Sequence, residues 1–238
     1  MLVLLHGLGA NAGVWDGLRP FLAERWPGRW IAPDLRGHGR SFHAPPYAIG
    51  TYAADVAALL SADDEVTLLG HSLGGVIALA LATGLFGVRV RRVVAFSVKV
   101  GWSEEELAKS RAVAQAPARS FGSRAEAIDR YLRVAGLAGL VDPASPAAAA
   151  GVAAEQGKFR LAADPRTNRL DWTDFPALAR LASAPLHLLC GALDTVARPE
   201  SMQRLGAEVT VLAGLGHNPH VEAPAAFWRA IESDLGGA

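Results

Sequence analysis

The sequence predicts an α/β fold on a mostly or wholly parallel, doubly wound sheet of about six strands. Short apolar runs alternate with longer stretches of helical periodicity, the pattern of parallel strands joined by crossover helices. That alternation breaks once, between about Ser97 and Ala184, where helix-start signals recur and no convincing strand is visible. A helical insertion is expected there.

Taken in order, the strands are expected at Leu2–Leu5, Arg29–Ala32, Glu65–Leu69, Arg92–Phe96, Leu186–Cys190 and Glu208–Leu212, each a short apolar or β-branched run. Helical patterns lie between and after them, at Trp15–Arg25, Thr51–Ser61, Leu73–Phe86, Pro199–Leu205 and Pro224–Leu235. Inside the insertion, Ser103 with Glu106 and Ser123 with Glu126 fit the S-x-x-E capping box, and Ser145 places a cap before Pro146. The Ala-rich run Ala147–Ala154 that follows reads as helix former. The division expected is a core of 1–97 and 185–238 around an insertion of 98–184, with Phe159, Trp172 and Phe175 in the insertion's own apolar core.

Composition narrows the function. The chain has 238 residues, 51% of them hydrophobic, enough for one well-buried α/β domain. Its 23 basic and 23 acidic residues cancel, and no Lys/Arg cluster is interleaved with aromatics, so a nucleic-acid partner is not expected. Cys190 is the sole cysteine, which excludes an intramolecular disulfide and a multi-cysteine metal site. The apolar run after Met1 stops at His6-Gly7, too short for a membrane span and without a signal peptide's basic flank. A cytoplasmic protein without a membrane partner is expected.

The strongest chemical signal is Gly70-His71-Ser72-Leu73-Gly74-Gly75, set directly between an apolar strand and an apolar helix. A nucleophile elbow must turn from strand to helix within a few residues. Small residues two before and two after the serine relieve the crowding, and the strained turn pushes the hydroxyl into a cleft. Ser72 is therefore the candidate nucleophile. A hydroxyl needs a base and the base an acid. Asp194 directly follows a predicted strand, unlike the rival acids Asp164, Asp171 and Asp174, and His217 lies in a Gly-rich loop after the last strand. His220 is the nearest rival base. His217, His220 and Glu222 could suggest a metal, but they lack the H-E-x-x-H spacing and Pro219 interrupts them, so neither metal nor cofactor is expected. His220 is expected to pack at the start of the last helix, with Glu222 as a first-turn acid.

Together with His6-Gly7-Leu8-Gly9, the string Asp34-Leu35-Arg36-Gly37-His38-Gly39-Arg40-Ser41 and Gly216-His217, the elbow makes the chain resemble the α/β-hydrolase family outside the insertion. The resemblance implies a catalytic Ser72–His217–Asp194 triad and an oxyanion hole formed by the backbone N–H groups of Leu8 and Leu73. His6, Asp34, Arg36 and His38 would be structural, and His71 would point away from the nucleophile. Family members usually open with an antiparallel hairpin, whereas this sequence opens on the strand carrying the His-Gly loop. The Arg29–Ala32 strand would then be an exposed edge, covered by a loop or by a dimer partner, so a monomer or a homodimer is expected. The insertion would cap the cleft, with Asn11, Trp15, His43 and Trp102 as lining candidates.

A serine nucleophile excludes the family's aspartate-dependent halide- and epoxide-opening branches. The expected activity is a serine hydrolase acting on a small-molecule carboxylic ester through an acyl-enzyme. Cleavage of a diketone C–C bond, a lactone or a thioester stays open, as does, from another class, a ligand receptor with a slow or vestigial triad.

Overall fold

The computed structural model describes residues 1–169 and 174–235. β1 (Leu2–Leu5) leads through a 3₁₀ turn (Ala12–Leu18) into α1 (Arg19–Arg25). Pro20 has no N–H to give to the preceding turn, so the α-helix expected from Trp15 begins only at Arg19. β2 (Trp30–Ile31), α2 (Ile49–Ala57), β3 (Glu65–His71), α3 (Leu73–Ala82) and β4 (Arg89–Phe96) follow.

Between β4 and the next strand of the sheet come α4 (Glu104–Gln115), α5 (Arg124–Val134), α6 (Pro146–Ala150), the hairpin β5 (Val152–Glu155) and β6 (Lys158–Leu161), and α7 (Phe175–Leu181). β7 (Leu186–Gly191), α8 (Pro199–Met202), β8 (Val209–Leu212), α9 (Pro219–Glu222) and α10 (Pro224–Leu235) complete the described chain. No helix among the described residues is long and apolar enough to cross a membrane.

The six-stranded sheet has the order β2-β1-β3-β4-β7-β8 and is parallel throughout, with β2 at one edge. Side chains alternate between its faces, as the pleat requires. Val3, Leu5, Leu68, Val93, Ala95 and Leu188 enter the core under α2 and α3, while Leu2, Leu4, Leu69, Val94, Phe96 and Leu189 enter the one under α1 and α10. All twelve are fully buried, at roughly 1.5–3 kcal/mol for each of the larger side chains. In the register Leu5 lies beside Gly70, His71 beside Phe96, and Gly191 beside Leu212. The loops leaving these strands gather along one edge. The chain reverses direction across the sheet between β1 and β3, the switch point at which open α/β sheets leave a crevice.

The insertion departs from expectation in two respects. Ser103, Ser123 and Ser145 cap α4, α5 and α6, but the Ala-rich helix stops at Ala150, and Val152–Glu155 pairs antiparallel with Lys158–Leu161. The turn residues Gln156 and Gly157 both have positive φ, 49° and 75°, as a tight hairpin requires. Tertiary packing overrides alanine's helical preference: a Cβ on Gly151 would collide with the Tyr131 ring, and Phe159 bridges to Phe121. Phe175 packs with the core under α3 rather than in a separate one, and Trp172, like Asp171, lies outside the described residues.

Candidate active site

Ser72 sits at φ 50°, ψ −111°, between the end of β3 and the start of α3. This is a conformation that residues with a Cβ rarely adopt, and it is held by the surroundings. Ser72 N–H donates to Phe96 O at 2.9 Å, and Ser72 O accepts from Gly75 N–H at 3.0 Å. The glycines follow from space: a Cβ on Gly70 would run into the backbone of Gly74, one on Gly74 into the carbonyl of Leu5, and one on Gly75 into Val98. The sharp turn therefore exists only if those positions lack side chains.

Asp194 follows β7, buried, and His217 follows β8, half-buried. His217 Nδ1 lies 2.9 Å from Asp194 Oδ2, and Asp194 Oδ1 accepts the N–H groups of Val196 and Ala197 at 2.8 and 2.9 Å. Burial alone would push this carboxyl up. The hydrogen bond and charge of His217, with the two N–H donors, outweigh it and hold the carboxyl below its ordinary value, so Asp194 is an anion at neutral pH. A carboxylate only accepts, so Nδ1 carries the proton and Nε2 is left as the basic edge of the ring. Of the rival acids, Asp164 is tied up by Tyr47 Oη at 2.6 Å and by the Arg166 guanidinium, and Asp174 caps α7.

Ser72, His217, Leu8 and Leu73 line one cavity of about 700 Å³, whose walls are mainly apolar. Leu73 is the first residue of α3, where backbone N–H groups have no partner within the helix. The loop carrying Leu8 is fixed by His6, whose Nδ1 is 2.8 Å from Gly7 O and whose Nε2 accepts Leu35 N–H at 2.9 Å. A carbonyl can only accept, so this is the Nδ1-protonated neutral ring, in keeping with a burial that lowers its pKa. A Cβ on Gly7 would come within 2.7 Å of His71 Nδ1, and Gly9 has φ 77°. The residues expected to be structural are engaged as such. Asp34 accepts from Ala12 N–H and Arg40 N–H, Arg36 grips Asp55 through two hydrogen bonds of 2.6 Å, and His38 packs edge-on against His6. Cys190 is buried, and burial pushes its thiol up to about 12.

Of the four lining candidates, only Trp102 is on the cavity wall, standing edge-on to Phe175. Asn11 caps the 3₁₀ turn through Gly13 N–H and donates to Tyr131 Oη and Ala147 O. Trp15 is buried against Phe96 and His220, and His43 approaches Asp164 at 4.0 Å. None of these three lines the cavity: capping takes up Asn11, core packing takes up Trp15, and His43 lies toward Asp164. The wall residues that sequence reasoning missed include Leu107, Val134, Phe175 and Val196. They come from four separate segments; the S-x-x-E boxes ahead of Leu107 and Val134 gave those two a local signal, and Phe175 was expected in the insertion's core rather than on a cavity wall. His220 is buried among rings, and no cluster of three or more potential metal ligands exists among the described residues.

Comparison with known proteins agrees with this architecture. The chain is 43% identical to an uncharacterized protein of Mycobacterium tuberculosis over 84 residues, 34% of this chain and 24% of that protein. It is 47% identical to a pimeloyl-[acyl-carrier protein] methyl ester esterase of Neisseria meningitidis over 79 residues, 33% of this chain and 24% of the esterase. The chain thus matches about a quarter of the length of these curated relatives. Among solved structures, E-2-(acetamidomethylene)succinate hydrolase superposes with a TM-score of 0.81 at 25% identity, covering 98% of this chain and 90% of the other. An enol-lactonase from Burkholderia xenovorans LB400 shares the fold at a TM-score of 0.68 and 21% identity, covering 98% and 90%. The alpha/beta hydrolase family model matches residues 2–230, and the chain belongs to that family.

Proposed function

We propose that the protein is a serine hydrolase acting on a small-molecule carboxylic ester or related acyl substrate. The observation that carries this reading is the strained Ser72 turn opening on the same cavity as His217, whose Nδ1 is bonded to a buried, ionised Asp194. In this reading Ser72 Oγ attacks the acyl carbon while His217 Nε2 takes its proton, and Asp194 stabilises the imidazolium that forms. The N–H groups of Leu8 and Leu73 receive the oxyanion, each worth about 3–4 kcal/mol in such a hole. His217 then protonates the leaving alcohol, and a water activated by the same nitrogen releases the acid and restores Ser72. The segment 98–184 caps the cleft, and Trp102, Leu107 and Phe175 on its wall give the acyl chain an apolar bed.

Hydrolysis of p-nitrophenyl esters from acetate to octanoate, run beside Ser72→Ala and His217→Ala, tests this. Each substitution is expected to cost several orders of magnitude in kcat, on the order of 10⁴-fold or more. A Ser72→Ala enzyme that turns over like the unaltered protein would end the proposal. Tight ligand binding that survives Ser72→Ala, without multiple turnover by either form, would favour a receptor.

A further inference from the structure

The loop that carries His217 is gripped by one side chain. Glu222 Oε2 accepts the Gly216 N–H at 2.6 Å and Glu222 Oε1 accepts the Asn218 N–H at 2.8 Å, so a single carboxylate spans both sides of the histidine. On the opposite pole, His71 Nε2 lies 2.9 Å from His217 O. A carbonyl has no proton to give, so His71 Nε2 is the donor. Burial, helped by the neighbouring His220 and His217, holds that ring neutral.

The Asn218 N–H and the His217 carbonyl belong to the same peptide unit. With its N–H end on Glu222 and its C=O end on His71, that planar unit cannot rotate without breaking a hydrogen bond. The direction in which His217 leaves the backbone is thereby set, and with it the ring's approach to Asp194. A generic helix-dipole role does not account for this geometry: α9 is only four residues long, and the carboxylate turns back onto two named amides that precede it. Gly216 leaves the room, since a Cβ there would lie 3.1 Å from Glu222 Oε1.

We infer that Glu222 is a positioning residue for the reaction, acting with His71 to clamp the His217 peptide so that the imidazole meets Asp194 on one edge and the cavity on the other. The inference rests on His217 being the base. A base displaced by about 1 Å loses on the order of 100-fold in rate.

The test is a double-mutant cycle on ester hydrolysis. Glu222→Gln keeps the size but offers an NH₂ to one of the two amides, and Glu222→Asp keeps the charge but falls one methylene short. Both are expected to lower kcat by about 10- to 100-fold with KM held within about two-fold. In a His217→Ala background the same Glu222→Gln change is expected to cost less than about two-fold. A Glu222→Gln enzyme with unaltered kcat, or an equal loss in both backgrounds, overturns the clamp. So does a Glu222→Asp enzyme with full activity, which would make the effect one of charge. Full turnover by His217→Ala would instead remove the base assignment itself. Should Glu222→Gln not fold, residue-resolved amide exchange in the unaltered protein decides: protection at Gly216 and Asn218 is expected, and free exchange at both refutes the clamp.

Discussion

The two walls of the cavity are built differently. On the sheet side, backbone meets backbone: the ends of β1 and β3 and the first turn of α3 approach so closely that Gly70 and Gly74 have no room for a methyl group. On the side formed by 98–184, a Cβ at Gly122, Gly139 or Gly157 would meet nothing within 4 Å, and one at Gly101 or Gly136 would meet only a side chain, at 3.5 and 3.2 Å; Gly151, against the Tyr131 ring, is the tightest. This wall is tied to the sheet side by separate hydrogen bonds, among them Asp164 N–H to Gly37 O, Tyr47 Oη to Asp164, Asn11 to Tyr131 and Asn218 Nδ2 to Gly136 O. At Gly70 and Gly74 on the first wall an added methyl group meets backbone; on the second it meets side chains or open space.

The largest expected effect comes from acid, and it falls on the sheet side. His38, His71 and His220 are buried there, and burial is the main cause that lowers His38 and His220 to about 3 and His71 well below its ordinary value. In the folded protein these rings stay neutral, while in the unfolded chain they take up protons below about pH 6.5. Their stabilising contribution is therefore complete above that pH and is lost as pH falls toward 3. These three rings give a slope of about 4 kcal/mol per pH unit, and His6, lowered by burial as well, adds to it. Urea unfolding between pH 7.5 and 5 should show it, and His220→Leu should flatten it by about 1.4 kcal/mol per unit. A slope unchanged by that substitution would mean His220 is not a buried neutral base.

Next in size is the glycine contrast itself. Gly74→Ala is expected to destabilise by about 3 kcal/mol, because the new methyl meets the Leu5 carbonyl, whereas Gly122→Ala is expected to be neutral or stabilising by about 0.5 kcal/mol. Equal unfolding midpoints for the two variants would erase the distinction between the walls.

These positions also show what could be read in advance. Ser72, Asp194 and His217 were legible because each follows a strand, and a strand-to-helix turn needs glycine at fixed offsets. Of the rest of the cavity wall, only Leu8, Leu73 and Trp102 were legible. Phe175 and Val134 come to line one cavity only once the sheet has formed, and no periodicity records that. Asn11 and Trp15 misled because polar and aromatic residues near a Gly-rich loop resemble a binding rim. Asn11 in fact accepts from Gly13 N–H, a capping role that the spacing Asn11-Ala12-Gly13 could have suggested. The β5–β6 hairpin was hidden by alanines, whose local preference is for helix.

The smallest of the larger effects sharpens the tie between the walls. Burial pushes the Asp164 carboxyl up, but its bonds to Arg166 and Tyr47 win and bring it down to about 2. A carboxyl lowered in this way stabilises the fold above about pH 4 and ceases to do so as pH falls through 2. Asp164→Asn should therefore cost about 2 kcal/mol, and the deficit should be the same at pH 8 and pH 6, above the range in which Asp164 titrates. A deficit that changes across that interval would assign the effect to some other group.

The His6 ring holds the Gly7 carbonyl, and that carbonyl shares a rigid plane with the N–H of Leu8. In a trans peptide the two dipoles point in opposite directions, so anchoring one end aims the other. A side chain that never touches substrate thus acts as the sight of the proposed Leu8 donor. It does so with a proton on Nδ1 and a bare Nε2; a second proton, on Nε2, would spare the Gly7 bond but break the one from Leu35 N–H that holds the other edge of the ring.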